Sequence, residues 1–136
     1  MKKFDGFHDG FLDGLLLDGS SAYIFVTTPE QWHFVLDVSG VAAVDAGTFK
    51  EGNIIFDILI YGWDELTVEQ MAVVHGPVSA YGLPDQTQRW LTKARQERLS
   101  LLEINPSYGA ACLVLAHTID LRHREEWLER QMRPTQ

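Results

Sequence analysis

The segment IIFDILIYG, residues 54–62, is the most strongly β-forming stretch of this chain. β-Branched and aromatic residues dominate it, and alternate residues of a strand point to the same face of a sheet. The pattern predicts a strand with Ile54, Phe56, Ile58 and Ile60 on one face and Ile55, Asp57, Leu59 and Tyr61 on the other. Asp57, a charged residue in the middle of the strand, indicates that the second face is the more polar one.

Apolar segments joined by short turns precede this strand. Residues 15–28 predict two strands that are connected at Asp18-Gly19, a turn-forming pair. The next segment, WHFVLDV, alternates with Trp32, Phe34, Leu36 and Val38 on one face. After Ser39-Gly40, residues 41–49 predict a weaker, separate strand. Consecutive strands with short connections favour an antiparallel meander.

Helices are predicted in the second half of the chain. Thr67 and Gln70 have the spacing of a capping box, and Gly76-Pro77 ends that helix with His75 in its last turn, where a cation suits the helix dipole. Residues 85–97 predict a second amphipathic helix, with an apolar stripe that includes Trp90 and Leu91. A third, residues 124–132, presents Trp127, Leu128 and Met132.

Two structures compete for residues 98–117. One is a hairpin, with strands at residues 99–104 and 110–117 and a turn at Asn105-Pro106-Ser107-Tyr108-Gly109. The alternative extends the second helix to Ile104 and begins another after Pro106. The turn signals favour the hairpin.

These patterns predict an α+β fold in one domain, residues 1–136. The fold is mainly an antiparallel sheet, a meander plus a C-terminal hairpin, with two to three helices packed on one face. The predicted core contains Phe25, Phe34, Leu36, Ile54, Phe56, Ile58, Trp90, Leu91 and Leu113.

Composition restricts the class of partner. The net charge is -8, and residues 1–85 hold three Lys/Arg against thirteen Asp/Glu. Such a surface repels nucleic acids and anionic lipids, so we expect neither a nucleic acid nor a membrane partner. The chain has a single cysteine, Cys112, and no apolar run of membrane-spanning length, which favours the cytoplasm.

Four Asp-Gly pairs, at Asp5, Asp9, Asp13 and Asp18, crowd the first twenty residues. Calcium loops require oxygen ligands at alternate positions and a terminal Glu, and neither is present, so we interpret the pairs as turns or bulges. His8-Asp9 could supply a base with its orienting carboxylate, or metal ligands. Capping of local backbone groups is the favoured role. We predict no catalytic residue, metal or cofactor.

Acidic and aromatic residues form a candidate binding surface. If helices cover one sheet face, Asp37 and Asp57 on the other join Glu30, Glu51, Asp64 and Glu65 in an acidic region. Tyr61 and Trp63 at its edge are the aromatic residues expected to contribute most to binding. Together with His8 and Asp9, this surface predicts a basic protein partner.

Three segments carry a family resemblance: FHDG at residues 7–10, GNIIFDI at 52–58 and INPSYGAACLVLAH at 104–117. Together they resemble small bacterial α+β proteins, some of which are similar to immunity proteins of polymorphic toxin systems. The resemblance implies a protein-binding role, the hairpin, and prominence for His8, Asp9, Ser107, Tyr108 and Gly109.

Two functions emerge as hypotheses. The first is a non-enzymatic acidic module that neutralises a basic partner, as an immunity protein does. The second is a small-ligand or metal-dependent enzyme that uses His8 and Asp9. The sequence favours the first, and it leaves the oligomeric state open, a homodimer included.

Overall fold

The computed structural model describes residues 1–76 and 84–133. The strands are β1 (Lys2–Lys3), β2 (Phe11–Asp18), β3 (Ser21–Thr27), β4 (His33–Ala46), β5 (Ile54–Tyr61), β6 (Ser100–Tyr108) and β7 (Cys112–His123). The helices are α1 (Val68–Val74), α2 (Pro84–Gln96) and α3 (Arg124–Met132), and a 3-10 turn spans Trp63–Glu65. The fold is α+β and mainly antiparallel sheet, as predicted.

The sheet closes on itself. Its order is β5-β2-β3-β4-β7-β6, and β6 pairs back onto β5, so six antiparallel strands form a barrel. Strand β1 is the seventh, and it pairs with the last residues of β5. The predicted antiparallel sheet is confirmed, and its closure into a barrel is a more specific arrangement than the sequence predicted. A closed sheet has an inner face that its own side chains fill, and only its outer face is available to helices.

Two hydrophobic clusters lie on the two faces of the barrel wall. The inner cluster contains Ile24, Leu36, Ile58, Leu102 and Val114, all essentially inaccessible to solvent. The outer cluster packs α1 and α2 against the barrel through residues that include Leu66, Met71, Leu91, Ala94, Leu101 and Leu115. Helix α3 covers a different part of the outer face, where the Trp127 ring contacts Tyr23 and Phe25.

A bulge in β5 changes which side chains face the core. The register with β6 shifts on both sides of Ile55, so Ile55 and Ile58 point inward while Phe56 points outward. Phe56 is 52% exposed, and its predicted place in the core was wrong. Simple alternation cannot locate an inserted residue, since each bulge inverts the faces of the residues before it.

The rest of the predicted core divides in two. Leu36, Ile58, Leu91 and Leu113 are buried, as expected. The others are only half-buried: Phe25, Phe34, Ile54 and Trp90. Phe25 lies on the outer face of the barrel against Trp127, because its neighbours Ile24 and Val26 fill the interior.

Strand β4 is longer than predicted. Residues 41–46 continue it rather than forming a separate strand, and they pair with the first half of β7. Gly40 permits this continuity, since it has φ +66° and a Cβ there would lie 2.5 Å from the His117 ring. The Ser39-Gly40 pair therefore bends the strand without ending it.

The helices and the hairpin agree with prediction, apart from Pro77 at the predicted end of the first helix, which lies outside the described residues. Thr67 and Gln70 form the capping box, α2 starts at Pro84, and α3 spans the expected residues. Strands β6 and β7 form the hairpin, although its turn lies later than predicted because Asn105 and Pro106 pair with β5. On α3, Trp127 is buried, whereas Leu128 and Met132 are exposed.

The barrel closes at a short seam between β2 and β5. Their register has one pair, Phe11 with Ile54. Asn53 extends it, since the Leu12 amide donates to the Asn53 carbonyl (3.0 Å) and Asn53 Nδ2 lies 3.5 Å from the Leu12 carbonyl. The rest of this buried amide holds the neighbouring loops: Oδ1 accepts from the amides of Lys50 (2.8 Å) and Ala110 (3.1 Å), and Nδ2 donates to the Lys50 carbonyl (2.7 Å). Gly109, with φ +87°, leaves room for this amide, since a Cβ would lie 2.3 Å from Oδ1.

We predict unequal stability effects for two truncations in β5. Ile58→Ala removes buried methyl groups from the barrel interior and should lower the free energy of unfolding by about 3 to 4 kcal/mol. Phe56→Ala removes an exposed ring and should change it by less than about 1 kcal/mol. Denaturant titration of both variants checks this, and a larger loss for Phe56→Ala would contradict the inward and outward assignment.

We predict that the seam depends on Asn53. Asn53→Ala leaves two amide groups without their acceptor, one of them on the buried Ala110, and should reduce the free energy of unfolding by about 2 to 4 kcal/mol. Asn105→Ala is the matched control, because its partner Asp57 keeps access to water, and it should cost less than about 1 kcal/mol. Equal losses in the two variants would show that Asn53 has no special role.

Candidate functional site

All of the predicted site residues except Asp37 lie on strand β5 or contact its ends. Asp57 and Tyr61 belong to the strand, and Trp63, Asp64 and Glu65 form the turn that comes after it. The His8 ring contacts Phe56, and the Asp9 amide donates to the Ile55 carbonyl. We refer to the outer side of β5, with these neighbours, as the β5 face.

Asp37 lies elsewhere. Strand β4 is three places from β5 in either direction around the barrel, so Asp37 and Asp57 are on opposite sides and do not share the expected acidic region. Asp37 pairs with Arg122 on β7, with 3.3 Å between Oδ2 and Nε. Its carboxylate is thus already neutralised by a neighbouring strand.

His8 caps the bulge in β5. Its Nδ1 lies 3.1 Å from the Phe56 carbonyl oxygen, and since a carbonyl only accepts, Nδ1 must carry the proton. The neutral ring then presents Nε2 as an acceptor, 3.7 Å from an Asp9 oxygen that is also an acceptor. The two side chains are well exposed, and Asp9 has φ +65°. This geometry fits the structural role better than a catalytic pair.

Three carboxylates act on Tyr61, the last residue of β5. Burial first, and then the nearby carboxylates of Glu103, Asp57 and Glu65, raise the pKa of Tyr61. Glu103 lies on β6, opposite Leu59. Sequence analysis missed it because the pairing of β5 with β6 joins segments that are far apart in the chain.

Polar contacts hold the two ends of the face. Asp57 accepts a hydrogen bond from Asn105, with 2.8 Å between the atoms. Glu65 contacts the amino group of Met1 and the Gly62 amide, which together lower its pKa. The Arg98 guanidinium lies 5.6 Å from the centre of the Trp63 ring, which is partly exposed.

A second polar cluster, which sequence analysis did not predict, lies near the start of α3. A bulge in β2 turns Asp13 outward, where its Oδ2 accepts from the Thr27 hydroxyl (2.5 Å) and from Arg124 (2.9 Å). Thr27 also bonds to Nδ1 of His33, at 3.0 Å. The sequence signal that could have identified this cluster is the position of Thr27 and His33 at the two ends of one hairpin connection. Antiparallel pairing places these two residues opposite each other.

Packing explains the environment of two other reactive side chains, Cys112 and His75. Burial raises the pKa of the Cys112 thiol to about 12, so it is not an activated nucleophile. His75 was expected to suit the C-terminus of α1 as a cation, but burial and then Lys93 lower its pKa, and its ring stacks on Trp90 at 4.3 Å. In the part of the chain that the structure describes, no three His, Cys, Asp or Glu side chains are grouped to hold a metal ion.

Comparisons with known proteins found no match, either to a protein-family model or to a curated protein. The function is therefore inferred from the residues themselves.

Within residues 1–76 and 84–133, no helix has the length and apolar character needed to cross a membrane.

We predict that Glu103 controls the ionisation of Tyr61. Glu103→Gln removes a negative charge that disfavours the phenolate, so the pKa of Tyr61 should fall, while burial keeps it above that of free tyrosine. NMR titration of the tyrosine ring carbons measures this. Glu30→Gln removes a charge that does not act on Tyr61 and should leave the titration unchanged; a shift of equal size would indicate a general charge effect.

Proposed function

We propose that this protein is a non-enzymatic binding module that captures a basic protein on its β5 face. The observation that supports this best is the group of carboxylates around Tyr61, those of Asp57, Glu65 and Glu103, beside an exposed aromatic ring. The immunity-type role is the form of this proposal in which the basic partner is a toxin.

Charge and aromatic surface have separate parts in such binding. A group of carboxylates attracts a basic protein and accelerates encounter, and dissolved salt weakens the effect. Affinity comes mainly from large side chains that are desolvated in the complex. Phe56 meets that requirement because the bulge holds its ring outward and His8 fixes the adjacent backbone.

The end of the β5 face around Phe56 is open to a partner. Helix α1 packs over β4 and β7, and α2 packs on α1 and on the Trp63–Glu65 turn, so the described helices cover the Tyr61 end of the face while Phe56 stays exposed. The Phe56 and Tyr108 rings, on neighbouring strands, are about half exposed. An exposed apolar surface that is bordered by acids is typical of an interface.

The segments that carry the family resemblance meet at one end of this face. The loop before β2 contacts β5 through His8 and Asp9, and the β6–β7 hairpin contacts it through Asn53. Ile54 lies opposite Tyr108. This convergence supports a shared role for the three segments.

We predict that substitutions on the β5 face reduce binding of a basic partner. Pull-down from the source cells, with wild-type protein at low and moderate ionic strength, should recover a basic protein whose yield falls with salt. Phe56→Ser should reduce binding by about tenfold or more, as expected for a central aromatic residue. Asp57→Asn with Glu103→Gln should slow association and remove most of the salt dependence.

Leu17→Ser is the matched control. Leu17 is as exposed as Phe56, but it belongs to β2 and lies near the end of that strand that is remote from β5. It should bind like the wild type. Equal losses in the Leu17 and Phe56 variants, or a partner whose capture is unaffected by the β5 variants, would refute the proposal.

A further inference from the structure

A groove of about 310 Å³ lies on another part of the surface, between the β3–β4 connection and the start of α3. It is lined by Gln31, Trp32, His33, His123, Glu125 and Glu126. The groove is separate from the β5 face, and its chemistry is independent of the function proposed for that face.

The Trp32 ring is exposed although its backbone is held firmly. Its side chain is 62% accessible to solvent. The Trp32 amide donates to the Thr28 hydroxyl (3.0 Å), and the Thr28 amide donates to the Trp32 carbonyl (2.9 Å). Gln31, between them, has φ +73°, which is unusual for a residue other than glycine. The connection therefore fixes the backbone from which a large flat ring extends into solvent.

The proton on the Thr27 hydroxyl determines what His33 offers to the groove. Asp13 also binds Arg124 and accepts from Thr27, so the single hydroxyl proton is committed to the carboxylate. The His33 Nδ1 must then donate to Thr27. In the neutral ring the other nitrogen, Nε2, is left as an acceptor. The chain of bonds from Asp13 through Thr27 thus selects one tautomer of a groove residue.

The groove contains several acceptors, beside the polar side chains of Gln31 and His123. Glu125 and Glu126 contribute carboxylates, and His33 contributes Nε2. The adjacent cation, Arg124, donates through one nitrogen, Nη2, to Asp13 and to the carbonyl groups of Val26 and Phe34, while its buried Nε has no hydrogen-bond partner among the described residues. A ligand that matches the two carboxylates and the Trp32 ring carries positive charge, presents several donors and has a flat surface.

We propose that this groove binds the guanidinium group of an arginine side chain in a basic polypeptide. Guanidinium is planar, permanently charged, a donor without acceptors, and it stacks well on indole. Glu125 and Glu126 provide the carboxylates, His33 Nε2 accepts a further hydrogen bond, and Trp32 provides the stacking surface. A polypeptide is favoured over free arginine, because the α-carboxylate of the free amino acid would be repelled by the two glutamates.

The test uses N-acetyl-arginine amide as the probe and NMR as the measurement. The chain has four tryptophans, and Trp32→Phe identifies the Trp32 indole N–H signal. The probe should shift that signal in a saturable manner. N-acetyl-citrulline amide, which has nearly the same shape without the charge, should leave it unchanged, and free arginine should bind more weakly.

Substitutions distinguish binding in the groove from general electrostatic attraction to the acidic surface. The double variant Glu125→Gln with Glu126→Gln should weaken binding of the probe by about fivefold or more, since the groove loses both negative charge and acceptor capacity. Glu129→Gln, on the same helix but outside the groove lining, should bind like the wild type. His33→Phe should also weaken binding while leaving the protein folded.

Several results would overturn this proposal. They are equal shifts from the citrulline probe, equal losses in the Glu129 variant, tighter binding of free arginine, or binding of neutral sugars in place of the cation. The titration uses small probes and no β5 variant. Its failure would therefore leave the pull-down prediction intact, and the reverse also holds.

Discussion

The structure depends on the contact that closes the barrel, where β5 returns to β2. That contact is short, with one registered residue pair, and the Asn53 amide supplements it by joining the β5 approach to the β6–β7 hairpin. Because β6 pairs with the other edge of β5, a change at this contact affects both neighbours. The inner cluster is enclosed only when the ring is complete, so the burial of Ile58 and Leu102 results from the closure.

Bulges give this barrel its candidate binding residues. An unbroken strand would alternate strictly, and the core would take every second side chain. The bulge in β5 turns Phe56 outward, and the bulge in β2 does the same for Asp13. Each outward residue is then held by a polar neighbour, His8 at the Phe56 carbonyl and Thr27 at the Asp13 carboxylate. Both candidate sites thus rest on departures from regular pairing.

Local features of the fold could be predicted from the sequence, and pairings distant in the chain could not. The capping box at Thr67, the third helix and the hairpin are encoded by neighbouring residues, and the structure agrees. The position of Phe56 and the grouping of Asp37 with Asp57 required the register and the strand order, which emerge only when the sheet closes. For the same reason the sequence indicated most residues of the β5 face but not Glu103. It also did not indicate the chain of hydrogen bonds from Asp13 through Thr27 to His33 behind the groove.

The brevity of the seam has a further consequence for β2. Beyond Leu12, this strand pairs with β3 alone in the described part of the chain, so its other edge presents unpaired backbone groups beside the exposed Leu16 and Leu17. An open edge with apolar side chains is a template for strand addition and aggregation. The irregular backbone at Asp13 and the negative charge of Asp18 oppose such growth, since a bulge and a charge both hinder edge-to-edge pairing. The bulge that orients Asp13 therefore also opposes the addition of a strand at this edge.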